Sequence, residues 1–384
     1  MRPSDDRATL WHGAPSSNDS AKKPMDFVDW VLLVCVALSW GTSFLLIRIA
    51  LDAFKPGLVL LLRVSLGSVA IAMVLVATRG VRGSLRALGY LVHCRRAPRV
   101  IFLSLFWMGV SFYVIIVAQQ WVSSALAGML CGTIPLQVTV ITAVAARKTP
   151  GARQAFGLFV GFAGVGLVLA PQLASGVRAT TVGVLMVLGG TVGFAASTFT
   201  APPLQRDLTK RDGPLGFLPV VLSMQLISTL LSLPIGLLDA AQSTFTWSAA
   251  IAVMVLGAGS TAAAFVAMAA LGGRVGAVRG SLPIFFVPLV SAAAGYLVRH
   301  EPLDWHSGGG AVLIFVGALL TSRTGSATLG TQIQTPQQAA AAALPSSAPL
   351  EAMPQWTRED VLVVAAKDSL PHGPDADAHA ASRA

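Results

Sequence analysis

Three cations stand inside apolar stretches of the chain, where charge is rare: Arg48, Arg63 and Arg279. A cation at the centre of a bilayer costs about 3 kcal/mol or more. Each therefore needs water, a protein partner or a ligand of opposite charge. Arg48 and Arg279 lie near the ends of their stretches, close enough for the side chain to reach the headgroups. Arg63 is deeper, roughly 9 Å in at the helical rise. There it either lines a pathway or anchors the structure. Its guanidinium carries paired donors that match a carboxylate. No Asp or Glu lies in the interior of the apolar stretches, and all 17 acids sit in loops, ends or tails. A carboxylate proton relay is thus not expected, and the pattern points away from cationic cargo toward a zwitterionic or anionic one.

Trp40, Phe44, Trp107, Phe112, Tyr113, Gln137, Gln225 and Phe285 lie in similar stretches and could stack on a ligand or orient it. Packing between helices is the competing reading for each. Trp40 stands near mid-stretch beside Gly41. The two glutamines need partners at that depth, from a neighbouring helix or from a ligand. The expected substrate-binding set is Arg63, Trp40, Phe44, Tyr113, Gln137, Gln225 and Arg48. Pro135 and Pro288 are candidate hinges, because a missing amide and a ring clash loosen a helix. Cys35, Cys94 and Cys131 show no metal-ligand spacing, and the six His residues fall outside the apolar stretches. No metal, cofactor or catalytic residue is expected, and neither an Asp-rich metal site nor an HExxH motif is present to suggest an enzyme.

These residues need elements to hold them. Hydrophobic residues make up 54% of the 384 and charged ones 11%, against roughly a quarter charged in a soluble domain. The excess comes in blocks of about 20 residues, the length that crosses a hydrocarbon layer, where backbone groups must pair internally and helices follow. The blocks fall near 28–51, 57–78, 100–121, 124–146, 155–174, 182–201, 215–238, 249–271, 276–298 and 307–322. The fold class is therefore an all-α integral membrane protein with ten transmembrane helices. The lipid bilayer is one partner and a small-molecule substrate the other. Nucleic acid is not expected despite the net charge of +10, since no basic face with interleaved aromatics appears. A homodimer remains open.

Of 27 Lys and Arg residues, 21 fall on the side of the two termini and three, Lys55, Arg178 and Arg299, on the other. The positive-inside rule then puts both termini in the cytoplasm of a cell inner membrane. Residues 1–27 read as a cytoplasmic segment, 28–174 and 182–322 as two halves, and 323–384 as a disordered cytoplasmic tail rich in Ala, Pro, Gln and Ser.

The halves repeat at an offset of 153 residues: Pro135 with Pro288, Gly157 with Gly310, Gly164 with Gly317. Five helices per half make the second copy enter in the opposite sense, so the repeats are inverted. Many secondary transporters use such repeats around a midplane site. The paired glycines, seven residues apart, suit close helix packing.

Trp40-Gly41-Thr42-Ser43-Phe44 running to Arg48, Pro56 before the second helix, and Arg63 within it resemble the opening of the drug/metabolite transporter superfamily, EamA-type. His300-Glu301-Pro302-Leu303 fits the family's pattern of Pro, thirteen residues, Glu, and Gly257 to Ala262 resembles its eighth helix. Lys148 departs from the acidic position in the first half. The resemblance implies a ten-helix exporter or exchanger of small metabolites such as amino acids. A sensor or assembly protein acting through the tail is the rival reading. A channel is the third, and it predicts a continuous polar stripe that is not visible.

Overall fold

The first helix starts where the sequence supplies a cap. The Asp26 side chain accepts from the Asp29 N–H and the Asp29 side chain from the Asp26 N–H, a reciprocal box that satisfies two amides at the helix start. In the computed structural model, which describes residues 25–92, 97–147, 149–174, 178–212, 214–301 and 304–331, ten apolar helices follow one another. They are α1 Phe27–Leu51, α2 Pro56–Gly89, α3 Ala97–Ala118, α4 Ser124–Ala146, α5 Ala152–Pro171, α6 Thr180–Ser197, α7 Leu215–Ala240, α8 Trp247–Val275, α9 Pro283–Arg299 and α10 Trp305–Thr321. The first eight are long enough to cross a bilayer by length and composition, and α9 and α10 are shorter apolar helices. No strand occurs among the described residues. Residues up to Gly325 form one unit. The expectations placed on residues 1–24 and on the tail from 332 onward lie outside the described residues.

The ten expected helices are all present, and the boundary between the eighth and ninth is among those that move. The expected break near 271–276 does not occur, and the helix of α8 runs on to Gly280. Arg279 therefore sits in the last turn of that helix and not inside the ninth, where a cation suits the negative end of the helix dipole. The helix passes through Gly272 and Gly273, and Arg274 just beyond them is pinned to Asp26 and Asp29 of α1. The stop comes at Ser281–Leu282, ahead of Pro283, which opens α9 in its first turn, where an N–H has no intrahelical partner to lose.

Two-fold correspondence between the halves runs through the backbone. Arg147 and His300, 153 residues apart, both end their helices in the left-handed region, with φ of 50° and 52°. Wide π-helical turns interrupt α3 at Ser104–Gly109 and α8 at Val255–Ala263. The glycine pairs cross-match: a Cβ on Gly164 would lie 2.6 Å from the Gly310 carbonyl, and one on Gly317 equally close to that of Gly157. Exchanging the copies turns either contact into the other, as an inverted two-fold between α5 and α10 requires. Between the halves, α2 packs on α7 and α4 on α9. The large core cluster gathers around α2, α7 and α8.

Calling the face where α1 begins and α10 ends the terminal face, most polar ties between helices lie on the opposite one. There Arg299 pairs with Asp52 at 2.6 Å, Asp239 accepts the Gly57 N–H at 2.7 Å, and Arg48 donates to the Gln119 carbonyl at 2.6 Å. The terminal face holds the Arg274 pairs with Asp26 (2.7 Å) and Asp29 (2.6 Å).

Candidate functional site

Arg63 is held where three helices meet. Its Nε donates to the Thr261 hydroxyl of α8 at 3.2 Å, and its guanidinium carbon lies 3.8 Å from the centre of the Phe112 ring of α3. The side chain is buried. A cation over a ring face gains electrostatic attraction, more so away from water. Thr261 is in position because the π-helical turn of α8 shifts the backbone pairing there. Its hydroxyl donates to the Leu256 carbonyl five residues back at 2.9 Å and receives Arg63 on a lone pair. α3 repeats the device, with Ser111 donating to the Phe106 carbonyl across its own π-helical turn. Gly257 lets α8 approach α2 closely: a Cβ there would come within 3.0 Å of the Arg63 carbonyl.

An aromatic wall continues from Arg63. Phe112 meets Phe194 of α6 edge-on at 5.5 Å, and Phe265 of α8 meets both Trp40 and Trp107 at 5.9 Å. Gln225 of α7 is fully buried and packs against Gly67, one helical turn beyond Arg63 on the same face of α2. Both of its side-chain polar atoms lack a partner among the described residues. Among those residues Arg63 has no carboxylate partner either; its contacts are one hydroxyl and one ring. A buried guanidinium in that setting can donate paired hydrogen bonds to an anionic group.

The other expected site residues are spread. Phe44 is buried in the seam of α1, α4 and α9 and abuts Gly128. Tyr113 is half-buried and packs at the edge of the large cluster. Gln137 ties α4 to α6, its Nε2 donating to Thr191 Oγ1 at 2.9 Å and the Leu188 carbonyl at 3.2 Å. Phe285 packs edge-on against Phe315 of α10. Pro135 follows a real interruption of α4, which stops at Cys131 and resumes at Ile134. Pro288 lies inside an unbroken helix. The sequence reading missed Phe265 and Phe194, which have the same aromatic character as the residues it chose, and the buried Gln119 at the end of α3, whose side-chain amide has no partner among the described residues.

A separate cavity of about 450 Å³ opens at the opposite face between α2, α7 and α8, lined by Phe54, Leu58, Leu62, Phe245 and Met254 among others. It is apolar and does not include Arg63.

Ten apolar helices in two copies define a multi-pass membrane protein. The EamA-like transporter family matches residues 30–170 and 181–323, one match to each half. The chain belongs to that family, and so to the drug/metabolite transporter superfamily that the sequence resembles. A protein described as an uncharacterized transporter from Archaeoglobus fulgidus is 21% identical over 299 residues, covering 77% of this chain and 98% of that one. A crystal structure of another protein superposes with a TM-score of 0.54 at 19% identity, covering 76% of this chain and 96% of that one. At that identity it shows the fold alone.

Proposed function

We propose that this membrane transporter is a secondary transporter that moves a small carboxylate-bearing metabolite, an amino acid or a close relative, by alternating access. Export or exchange is the direction, the membrane is a cell inner membrane, and both termini are cytoplasmic, as the charge asymmetry of the loops favours. The opposite face then meets the periplasm. The observation that carries the substrate class is Arg63, buried between a hydroxyl and a ring with no acid beside it among the described residues. A carboxylate arriving there gains paired, charge-assisted hydrogen bonds in a site of low dielectric. The ammonium group of a zwitterion could rest on Trp40, Trp107 and Phe265, whose ring faces attract cations.

The test is reconstitution into vesicles and efflux of a labelled panel: amino acids, simple carboxylates and amines without a carboxylate. Wild type is expected to carry one or more carboxylates and no amine, and Arg63→Ala to lose that flux by about tenfold or more while inserting normally. Undiminished carboxylate flux in Arg63→Ala, or selective carriage of amines, rejects the reading.

A further inference from the structure

At the opposite face, α4 begins with every early amide accounted for. Ser123 Oγ accepts the Leu126 N–H at 3.2 Å. The Glu301 carboxylate, from the far end of α9, accepts the Ser124 N–H at 3.0 Å and the Ala125 N–H at 2.8 Å. The Ser124 hydroxyl donates to the same carboxylate, 2.9 Å from Oε1 and 3.0 Å from Oε2. Glu301 is buried, with 9% of its surface exposed. It reaches α4 because His300 takes the left-handed conformation and the Glu301 N–H bonds back to the Gly295 carbonyl, folding the chain over the helix end. Gly295 leaves the room: a Cβ there would lie 2.5 Å from Glu301 Oε2 and 3.0 Å from Ser124 Oγ.

We infer that Glu301 is a proton-binding group that sets the state of this gate, an inference resting on the alternating-access reading above. Two of the groups it meets on α4 are amide donors and the Ser124 hydroxyl donates as well, so the seam is strongest when both carboxylate oxygens accept. A proton from the periplasmic water turns one oxygen into an O–H that Ser124 Oγ can accept only by giving up its own donation, and the amides then lose a charged acceptor. Proton binding and the closed seam therefore oppose each other, and by linkage a proton favours the open gate. Other titratable or charged groups stand at this face: Arg299, paired with Asp52 of α1, Arg48 on the Gln119 carbonyl, and Asp304, His300 and His306 around the turn into α10. Over its first turns α4 presents only Cys131 as a titratable side chain.

Cys131 is also the reporter. It is buried in the seam of α1, α4 and α9, about 10 Å below Ser124 along α4. In a Cys35→Ser/Cys94→Ser background, a charged, impermeant thiol reagent applied from the periplasmic side reads the gate, with rates normalised to the unfolded protein at each pH. Glu301→Gln keeps one acceptor and mimics the protonated group. It is expected to label at least about tenfold faster than Glu301 protein near pH 7, a loss on the scale of a charged hydrogen bond. Acidification is expected to speed labelling of the Glu301 protein and to leave Glu301→Gln unchanged. Should Glu301→Gln fail to fold, Ser124→Ala removes the hydroxyl donor and keeps both amides, and an intermediate rate is expected. Equal labelling with Glu and Gln at 301, or an acid response that survives in Glu301→Gln, overturns the inference even if carboxylates are still carried. A gate that answers to Glu301 in a protein carrying no carboxylate supports the inference and removes the substrate reading instead.

Discussion

Arg63 and Asp26 show how differently a charge behaves in the two settings this molecule offers. Arg63 has only a hydroxyl and a ring around it, and a planar fork is what a carboxylate ligand needs. Arg63→Lys keeps the charge and loses the fork, so transport of carboxylates is expected to fall by about tenfold while Arg63→Ala falls further. Equal flux in wild type and Arg63→Lys, measured with the same vesicles, would reduce the group to a point charge. Asp26 stands at the terminal face, where the backbone N–H of Asp29 and then the Arg274 guanidinium hold its carboxyl below the usual carboxylate value. A lowered value in the folded state means the contribution is fully present above the unfolded value, about 4, and is lost as pH falls through the folded one. The stability difference between wild type and Asp26→Asn, followed by thermal melting in detergent, is therefore expected at neutral pH and should vanish in acid. A difference that grows as pH falls would reverse the sign of this account.

At the scale of helices, small residues decide how close the elements come. Gly164 and Gly317 occupy equivalent places in the two copies and each meets backbone of the facing helix. Leu at either position must push α5 and α10 apart, and both variants are expected to lower stability by about 1–3 kcal/mol and to a similar degree. Gly166, two residues on, has open space around it, so Gly166→Leu should melt like wild type. A large difference between Gly164→Leu and Gly317→Leu would argue against the two-fold. Helix number and this repeat were legible in the sequence because the bilayer forces both length and apolar content. The end of α8 was not legible, since Arg274, just past Gly272 and Gly273, is tied to Asp29 and Asp26, 245 and 248 residues away in the sequence. The site was half legible for the same reason. Arg63, Trp40, Trp107 and Phe112 stand out by type and depth, while Thr261 owes its place to a π-helical turn that no local residue pattern announces. Glu301 fitted a family pattern, but its work lies on an amide 177 residues away.

Taken whole, the bundle carries polar clasps at both faces and, among the described residues, a single buried cation between them. α1 takes part in both, through Asp26 and Asp29 with Arg274 at one end and through Asp52 with Arg299 at the other. Both clasps are formed in this structure; if the faces alternate, opening either face costs the clasp there, so loosening one clasp shifts the balance toward the state open at that face. Arg299→Ala is then expected to raise labelling of Cys131 from the periplasmic side, and Arg274→Ala to lower it, since loosening the terminal face favours the state in which the Glu301 seam is shut. Exposed pairs contribute little each, about 0–1 kcal/mol, so shifts of a few-fold in opposite directions are the expected readout. Arg299→Ala combined with Arg274→Ala should return close to the wild-type rate. Two variants that both raise labelling would mean the faces loosen independently, and alternating access would have to be given up for this chain.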